Sequence, residues 1–194
     1  MSSEPTGLRE RKKQRTRADI TSTTISLIAE HGLAGVRIED ICEQVGIGRS
    51  TFFRYFDSKE SAFVEGVHAL RVDTIVAALD TRPSDESAWD ALRAAMLVVA
   101  SDWRSFRDDM LLEARLRDES ALLRARVAAS AGDLTEAITE AISPRVDGDR
   151  QRAAVMAGAY LAAVQVGYGA WITAGADDDP TPVIGRCLDM LREL

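Results

Sequence analysis

Two short helix patterns joined by a glycine constrain the fold of this chain most. The first pattern places four apolar residues at the i, i+3, i+4 and i+7 positions of one amphipathic face: Ile38, Ile41, Cys42 and Val45. Gly46 follows, and glycine readily takes the left-handed backbone conformation that a tight turn between helices needs. The stretch from Gly46 to Lys59 therefore indicates the turn and second helix of a helix-turn-helix, a motif that presents side chains to the major groove of DNA.

The second helix of this motif has an inward and an outward face. Phe52 and Phe56 are four residues apart and are predicted to face the core. The other positions offer groups for base edges, thymine methyls or phosphates, namely Arg49, Ser50, Thr51, Phe53 and Tyr55. Two bulky aromatics on a solvent-facing side favour a bound partner. The alternative is that Phe53 and Tyr55 pack on a neighbouring helix.

Helical patterns cover the rest of the chain, and no alternating strand pattern appears. Residues 1–8 are expected to be disordered or an arm, and a helix is predicted from Arg17 to His31, with Gly32 as its C-cap. Ser58 is predicted to cap a helix that runs to about Leu79. Beyond a break at residues 81–85, where Ser84 or Asp85 could cap the next helix, candidate helices cover 85–103, 105–117, 119–142, 149–175 and 180–193. The sequence therefore predicts an all-α protein with three short helices followed by a longer bundle.

Charge is distributed unevenly along the chain. Residues 1–59 contain ten Lys or Arg and eight Asp or Glu, whereas the remainder contains fourteen and twenty-three. The positive charge is concentrated in a basic arm from Arg9 to Arg17. A basic arm beside an acidic body is typical of a small DNA-reading module joined to a larger domain that does not touch DNA.

Other classes of protein find little support in the sequence. Cys42 and Cys187 lie far apart, and the two histidines form no ligand spacing, so buried free thiols in a reducing cytoplasm are expected and neither a metal nor a cofactor. No catalytic triad or phosphate loop is apparent, which predicts that the protein is not an enzyme. Met1 to Gly7 is polar and unlike a signal peptide. The uncharged stretch Ala153–Ala174 is long enough to span a bilayer, but its alanines and glycines favour a buried helix at a subunit interface.

Several separated blocks resemble the DNA-binding domain of the TetR family of transcriptional regulators. They lie between Arg15 and Phe63 and read Ala29-Glu-His-Gly32, Ile38-Glu-Asp-Ile41, Val45-Gly46-Ile47, Ser50-Thr-Phe-Phe-Arg-Tyr-Phe56 and Ser58-Lys59-Glu60. Two departures are Arg37, where the family often has Thr, and Cys42, where it commonly has Ala. The resemblance implies a domain of residues 1–57, made of the basic arm and the helix-turn-helix, and a helical ligand-binding and dimerisation domain of residues 58–194.

The resemblance also implies which residues contact DNA. Base or backbone contacts would come from Arg49, Ser50, Thr51, Phe53 and Tyr55, and Lys59 would hold a phosphate. The basic arm, with Arg15 and Arg17, would add backbone or minor-groove contacts. Arg37, at the start of the second helix, could contact a phosphate with help from the helix dipole, and Arg54 is equally a phosphate contact or a solvated charge.

In this family the last two long helices pair two subunits into a homodimer, and each subunit encloses a ligand pocket. The matching segments here are Asp149–Gly175 and Pro180–Arg192, although the first could instead be the central core helix of a monomer. The large apolar and amphipathic side chains of this domain are candidate pocket residues: Trp89, Met96, Trp103, Phe106, Met110, Tyr160, Gln165, Tyr168 and Trp171. The alternative for each of them is plain core packing.

The segments Gly48–Phe56 and Asp118–Arg126 resemble actinobacterial family members grouped with the mycofactocin-system regulator. That similarity implies an acyl-CoA or another fatty effector. The function expected is a ligand-responsive repressor that binds a pseudo-palindromic operator as a homodimer and is released by a small apolar effector. The alternative is a helical protein-interaction module without sequence-specific DNA binding, in which the exposed aromatics dock a partner protein.

Overall fold

The computed structural model describes residues 4–193, with side chains from residue 9 onward except that of Leu70. Within these residues every regular element is a helix, so the predicted all-α class is confirmed. The helices are α1 (Glu4–Gly35), α2 (Ile38–Val45), α3 (Arg49–Tyr55), α4 (Lys59–Asp80), α5 (Ala88–Ser101), α6 (Trp103–Glu119), α7 (Ala121–Ile142), α8 (Arg150–Thr173) and α9 (Thr181–Met190). A 3₁₀ turn at Ser143–Val146 joins α7 to α8.

The N-terminal basic segment is helical, which corrects the predicted arm. Residues 9–17 continue α1 toward its start at Glu4 instead of preceding it, while residues 1–3 of the expected arm lie outside the described residues. Arg, Lys, Glu and Gln are good helix formers, and an ion pair between Lys13 and Glu10 adds i, i+3 support. Near the other end, Gly32 interrupts the helix with φ 73° and ψ 162°, at the position predicted for its C-cap.

Helix α4 begins at a polar cap that the sequence predicts. The backbone N–H of Ser61 donates to the hydroxyl of Ser58 (3.1 Å), and the backbone N–H of Ser58 donates to the hydroxyl of Ser61 (3.2 Å). This reciprocal pair satisfies two of the N–H groups left unpaired at a helix start. The predicted role of Ser58 is confirmed.

The predicted cap of α5 is wrong by a few residues. Ser87, not Ser84 or Asp85, accepts the bond from the backbone N–H of Asp90 (3.1 Å), so α5 begins at Ala88. The preceding residues form a separate turn, because Arg82 binds Glu86 and the guanidinium of Arg145 donates to carbonyl oxygens of this segment, including that of Arg82 (3.1 Å).

The described chain divides into two compact units. The first comprises the residues up to His68 together with Leu112–Val127, and the second comprises Ala69–Leu111 together with the residues from Ala128 onward. The first unit thus contains α1 to α3, the first part of α4, and the segment where α6 ends and α7 begins. The domain boundary that the sequence predicts between residues 57 and 58 stays a prediction.

Each unit has its own apolar core. In the first unit the side chains of Ile20, Ile28, Ile41, Phe52 and Phe63 are fully buried, and Leu116 and Leu123 complete the cluster. In the second unit α5, α7, α8 and α9 surround a core in which Leu92, Ile138, Tyr160 and Ile184 are fully buried.

Two glycines permit close approach between helices. A Cβ at Gly66 of α4 would lie 2.9 Å from Thr21 Cβ and 2.8 Å from Ile25 Cδ1 of α1. A Cβ at Gly167 of α8 would lie 3.0 Å from Ile184 Cα of α9. These glycines therefore set the separation of α1 from α4 and of α8 from α9.

Candidate nucleic-acid interface and effector cluster

Helices α2 and α3 form the helix-turn-helix that the sequence predicts. Gly46 ends α2 in the left-handed conformation (φ 74°, ψ 37°), and the backbone N–H of Ile47 donates to the carbonyl of Cys42 (2.9 Å). Beneath α3, Phe52 and Phe56 are buried, with ring centroids 6.0 Å apart. Their predicted inward orientation is confirmed, and it fixes which side of α3 is left to solvent.

The outward side of α3 carries most of the predicted reading residues. Arg49, Ser50 and Phe53 are exposed, whereas Thr51 and Tyr55 are half-buried. Tyr55 packs against the core of the first unit, so the packing alternative holds for it in part. Phe53 stays 47% exposed, although its ring meets that of Phe52 edge to face at 5.6 Å. The exposed part of this ring offers an apolar contact surface beside the exposed Arg49 and Ser50.

Two arginines stack on the aromatic rings of this surface. The guanidinium of Arg49 lies 5.8 Å from the Phe53 ring centroid and is ion-paired to Glu39 of α2. The guanidinium of Arg54 lies 5.5 Å from the Tyr55 ring centroid. Cations and aromatic faces therefore lie side by side on α3, a combination that can contact both phosphates and bases.

Arg37 has a structural partner that the sequence reasoning missed. It is the N-cap of α2, and its guanidinium Nη2 donates to Asp40 Oδ1 at 2.8 Å, while its backbone N–H donates to Asp40 Oδ2 at 2.8 Å. These bonds hold the pKa of the Asp40 carboxyl below its usual range. The i, i+3 spacing of Arg37 and Asp40 at a helix start was the available signal.

The two cations predicted at the N-terminal arm lie on α1 in different environments. Arg15 is exposed. Arg17 is half-buried, pairs through both its Nε and Nη2 atoms with Glu65, and lies 4.9 Å from the Phe56 ring centroid. Arg17 therefore joins α1 to α4 and packs on the Phe56 ring, which lies beneath α3.

Lys59 joins three elements of the first unit. Its ammonium donates to the backbone carbonyls of Leu33 (2.5 Å) and Val36 (2.6 Å), between α1 and α2. An ammonium has three donors, so one remains for a phosphate. The role that the resemblance implies for Lys59 stays a prediction, and the carbonyl contacts had no signal in the local sequence.

The candidate effector residues fall into two clusters of the second unit. Trp89, Met96 and Tyr160 belong to the main core of that unit. The other cluster consists of Trp103, Phe106, Met110 and Trp171. Tyr168 packs against both clusters and meets Phe106 (6.3 Å) and Trp171 (6.1 Å) in edge-to-face contacts.

The main core of the second unit contains a buried polar group. The hydroxyl of Tyr160 is buried without a hydrogen-bond partner among the described residues. Burial raises the pKa of both Tyr160 and Tyr168, so both phenols are neutral donors at physiological pH. The positive charge of Arg71 acts on both Tyr168 and Asp109, and burial raises the pKa of Asp109. Arg71 and Asp109 were missed because each lies within an otherwise ordinary amphipathic helix.

The structure does not bring Gln165, one of the candidate pocket residues, to either cluster. Gln165 is exposed on α8. At 100° per residue it lies about 140° around the helix from Tyr160, so the two side chains point to different faces.

Helix α8 presents an exposed apolar face instead of being covered on all sides. Val155 and Val166 are 67% and 65% exposed, and small exposed residues share that face: Gly158, Ala162, Gly169 and Ala170. Met190 of α9 is also 60% exposed. Among the described helices α8 is the one long and apolar enough to cross a membrane, a test that core helices of soluble proteins also pass.

Comparisons with known proteins agree with this geometry. The family model for bacterial regulatory proteins of the tetR family matches residues 20–65. The HTH-type transcriptional regulator TcmR of Streptomyces glaucescens is 34% identical over 93 residues, which are 48% of this chain and 41% of TcmR. MftR of Mycobacterium tuberculosis, described as a mycofactocin biosynthesis transcriptional regulator, is 37% identical over 87 residues, 45% of this chain and 43% of MftR. The chain thus spans about two fifths of the length of the curated relatives it matches.

Solved structures share the fold over nearly the whole chain. FadR of Thermus thermophilus, a TetR family transcriptional repressor in complex with lauroyl-CoA, has a TM-score of 0.68 at 19% identity, covering 91% of this chain and 93% of its own. FadR of Bacillus subtilis, in complex with stearoyl-CoA, has a TM-score of 0.58 at 15% identity, covering 89% and 96%.

The segment matched by the family model contains α2, the glycine turn, α3 and the start of α4, the elements that carry the exposed Arg49 and Phe53. Relatives of more than 30% identity over nearly half the chain are transcriptional regulators, and the helical fold continues through the second unit. Residues 20–65 therefore match the tetR family of bacterial regulatory proteins, and the chain as a whole shares the fold of solved TetR family regulators.

Proposed function

We propose that this protein is a cytoplasmic, homodimeric transcriptional repressor that binds a pseudo-palindromic operator and is released by a small apolar effector. The observation that carries the proposal is the outward side of α3. There Arg49, Ser50 and Phe53 are exposed above the buried Phe52 and Phe56. A recognition helix must combine a rigid inner face with an outer face that offers donors and an apolar contact for thymine.

Positive side chains around α3 would hold the phosphate backbone. Arg15 on α1, Arg37 at the start of α2 and Arg54 on α3 are exposed, and Lys59 keeps one donor beyond its two carbonyl bonds. Thr51 and Tyr55 are half-buried at the edge of the surface and suit contacts to the sugar-phosphate backbone. Arg17 acts mainly by holding α1 against α4 through Glu65.

Pairing through α8 and α9 would supply the second recognition helix. The face that includes Val155, Val166 and Met190 is apolar, exposed and made largely of small residues, so a second copy can approach closely. A two-fold dimer presents its recognition helices to half-sites about one helical turn or more apart. That symmetry is the basis for the pseudo-palindromic operator.

The effector would bind in the aromatic region of the second unit. Trp103, Phe106, Tyr168 and Trp171 supply apolar surface. The hydroxyl of Tyr160, which has no hydrogen-bond partner among the described residues, supplies a donor. Fold neighbours that carry lauroyl-CoA and stearoyl-CoA support an acyl-CoA-like effector. By linkage, an effector that weakens operator binding must itself be bound less tightly by the operator-bound protein.

A titration of the full chain against duplex DNA from its own upstream region tests the proposal. Specific binding should exceed binding to a scrambled duplex and should fall with rising salt. Lauroyl-CoA should release the specific complex, whereas coenzyme A alone should not. Equal affinity for the two duplexes contradicts the repressor, and salt-independent behaviour together with a captured protein partner supports the interaction-module alternative.

A further inference from the structure

Helices α2 and α3 meet in an acid–base pair at their N-terminal ends. Glu39 lies in the first turn of α2, where the helix dipole stabilises a carboxylate. It accepts a bond from Nη1 of Arg49, the first residue of α3. Both side chains are substantially exposed, at 47% for Glu39 and 62% for Arg49. The pair therefore lies on the surface that the recognition helix presents.

The ring of Phe53 also contacts the guanidinium of Arg49. Its ring centroid lies 5.8 Å from the Arg49 guanidinium and 5.6 Å from the centroid of the fully buried Phe52. The guanidinium is thus held between a carboxylate and a ring that is itself anchored in the core. The bond to Glu39 uses Nη1, which leaves Nε and Nη2 as two adjacent donors.

Electrostatics distinguish the possible targets of such a pair. Beside a phosphate, the Glu39 carboxylate would face a like charge and oppose binding. At the major-groove edge of a G·C pair, guanine offers two acceptors to an arginine and cytosine offers an amino donor to a carboxylate. The Arg49–Glu39 pair therefore matches the major-groove edge of a G·C pair and does not match a phosphate.

We propose that Glu39 is a positioning residue that holds Arg49 for two-bond recognition of one guanine in each operator half-site. This inference rests on the proposed function, because it specifies what the recognition helix reads. The Glu39 carboxylate also repels the phosphates of any duplex, and this cost is offset only where Arg49 binds guanine, so Glu39 raises specificity.

Selection from a pool of random duplexes tests this inference with the full chain. The wild type should enrich a guanine at one position of each half-site, with a preference of about 5- to 150-fold over adenine. Arg49→Lys keeps the charge but lacks the planar fork, so this preference should weaken while the rest of the consensus remains. Glu39→Gln should reduce the same preference and raise affinity for non-specific duplex.

Glu136→Gln is the charge-matched control, because Glu136 is 56% exposed and paired with Arg150 in the second unit. It should leave the guanine preference and non-specific affinity as in the wild type. Circular dichroism and thermal midpoints establish that each variant is folded. An unchanged guanine preference in Arg49→Lys, or a Glu39→Gln profile identical to that of the wild type, overturns the inference while the repressor function stands. Failure of the wild type to enrich any sequence overturns the proposed function and this inference with it.

Discussion

The ammonium of Lys59 donates to the backbone carbonyl of Leu33 at 2.5 Å and thereby joins the start of α4 to the end of α1. A second bond to the carbonyl of Val36 ties in the start of α2. A residue that the family resemblance assigns to phosphate contact therefore also holds the scaffold around the helix-turn-helix. We therefore expect affinity for DNA and stability of the fold to be coupled at this position.

Replacing Lys59 by Met should lower the free energy of unfolding by about 1–3 kcal/mol, because two carbonyls lose a charged donor. Urea titration followed by circular dichroism measures this change. Lys13→Met is the control, since its side chain is 60% exposed and pairs only at 4.0 Å with Glu10. Equal unfolding midpoints for the two variants would show that the carbonyl bonds contribute nothing.

Alanine at Gly66 should destabilise the first unit. Its Cβ would approach Thr21 Cβ to 2.9 Å, and this overpacking typically costs about 1–3 kcal/mol, more than the gain in helix propensity. Gly132→Ala is the matched control, because no atom lies within 4 Å of the added Cβ in the middle of α7. That variant should be stabilised by about 0.5–1 kcal/mol. Stabilisation by both substitutions would contradict the close approach of α1 and α4.

Aspartate at Val166 should separate the subunits of the proposed dimer. A charge on the apolar face of α8 would be buried without a partner in the dimer, so the dissociation constant should rise by about tenfold or more. Sedimentation equilibrium measures the change, and operator binding should weaken with it. Val98→Asp places the same charge on α5 at a similarly exposed position (59% against 65%) and should leave the dimer intact. If Val166→Asp and the wild type had equal dissociation constants for the dimer, α8 would not form the interface.

Phenylalanine at Tyr160 should raise the free energy of unfolding by about 1 kcal/mol in the effector-free protein, because it removes a buried donor that has no partner among the described residues. The same variant should bind lauroyl-CoA more weakly, measured by calorimetry. Thr139→Val provides the contrast: its buried hydroxyl donates to the carbonyl of Thr135 at 2.7 Å, so removing it should destabilise the fold. If the Tyr160→Phe protein were less stable than the wild type, the Tyr160 hydroxyl would have to make a hydrogen bond in the folded protein.

The Arg37–Asp40 cap should make the free energy of unfolding depend on pH in the acidic range. The bonds from Arg37 lower the native pKa of Asp40, so the capping contribution is fully present above the unfolded-state pKa and is lost as pH falls through the native one. Asp40→Asn should therefore be less stable than the wild type near neutral pH, and the difference should vanish in strong acid. A difference independent of pH would exclude the ion pair as its source.

Local rules predicted most of the DNA-binding scaffold. The four-residue spacing of Phe52 and Phe56, the glycine at 46 and the cap at Ser58 each depend on neighbours within one or two turns, and the structure has all three. The extension of α1 was missed because a run of cations also suits a solvated arm, although the same residues are good helix formers.

Features set by distant residues could not be read in the same way. The contacts of Lys59 with Leu33 and Val36 and the pairing of Arg17 with Glu65 join segments far apart in sequence. The inclusion of Leu112–Val127 in the first unit likewise depends on tertiary packing. The residue type of Gln165 made it a candidate pocket residue, whereas its angular position on α8 leaves it exposed.

The close contact of Gly167 with Ile184 has a consequence for how such regulators diversify. The two helices approach each other closely at a position without a side chain, whereas the outward residues Val155 and Val166 are largely exposed. In a dimer that pairs through this face, as proposed, duplicated copies of the gene could change those two residues and acquire mutually exclusive partners. Each copy would keep its fold while mixed dimers, which would read hybrid operators, were avoided.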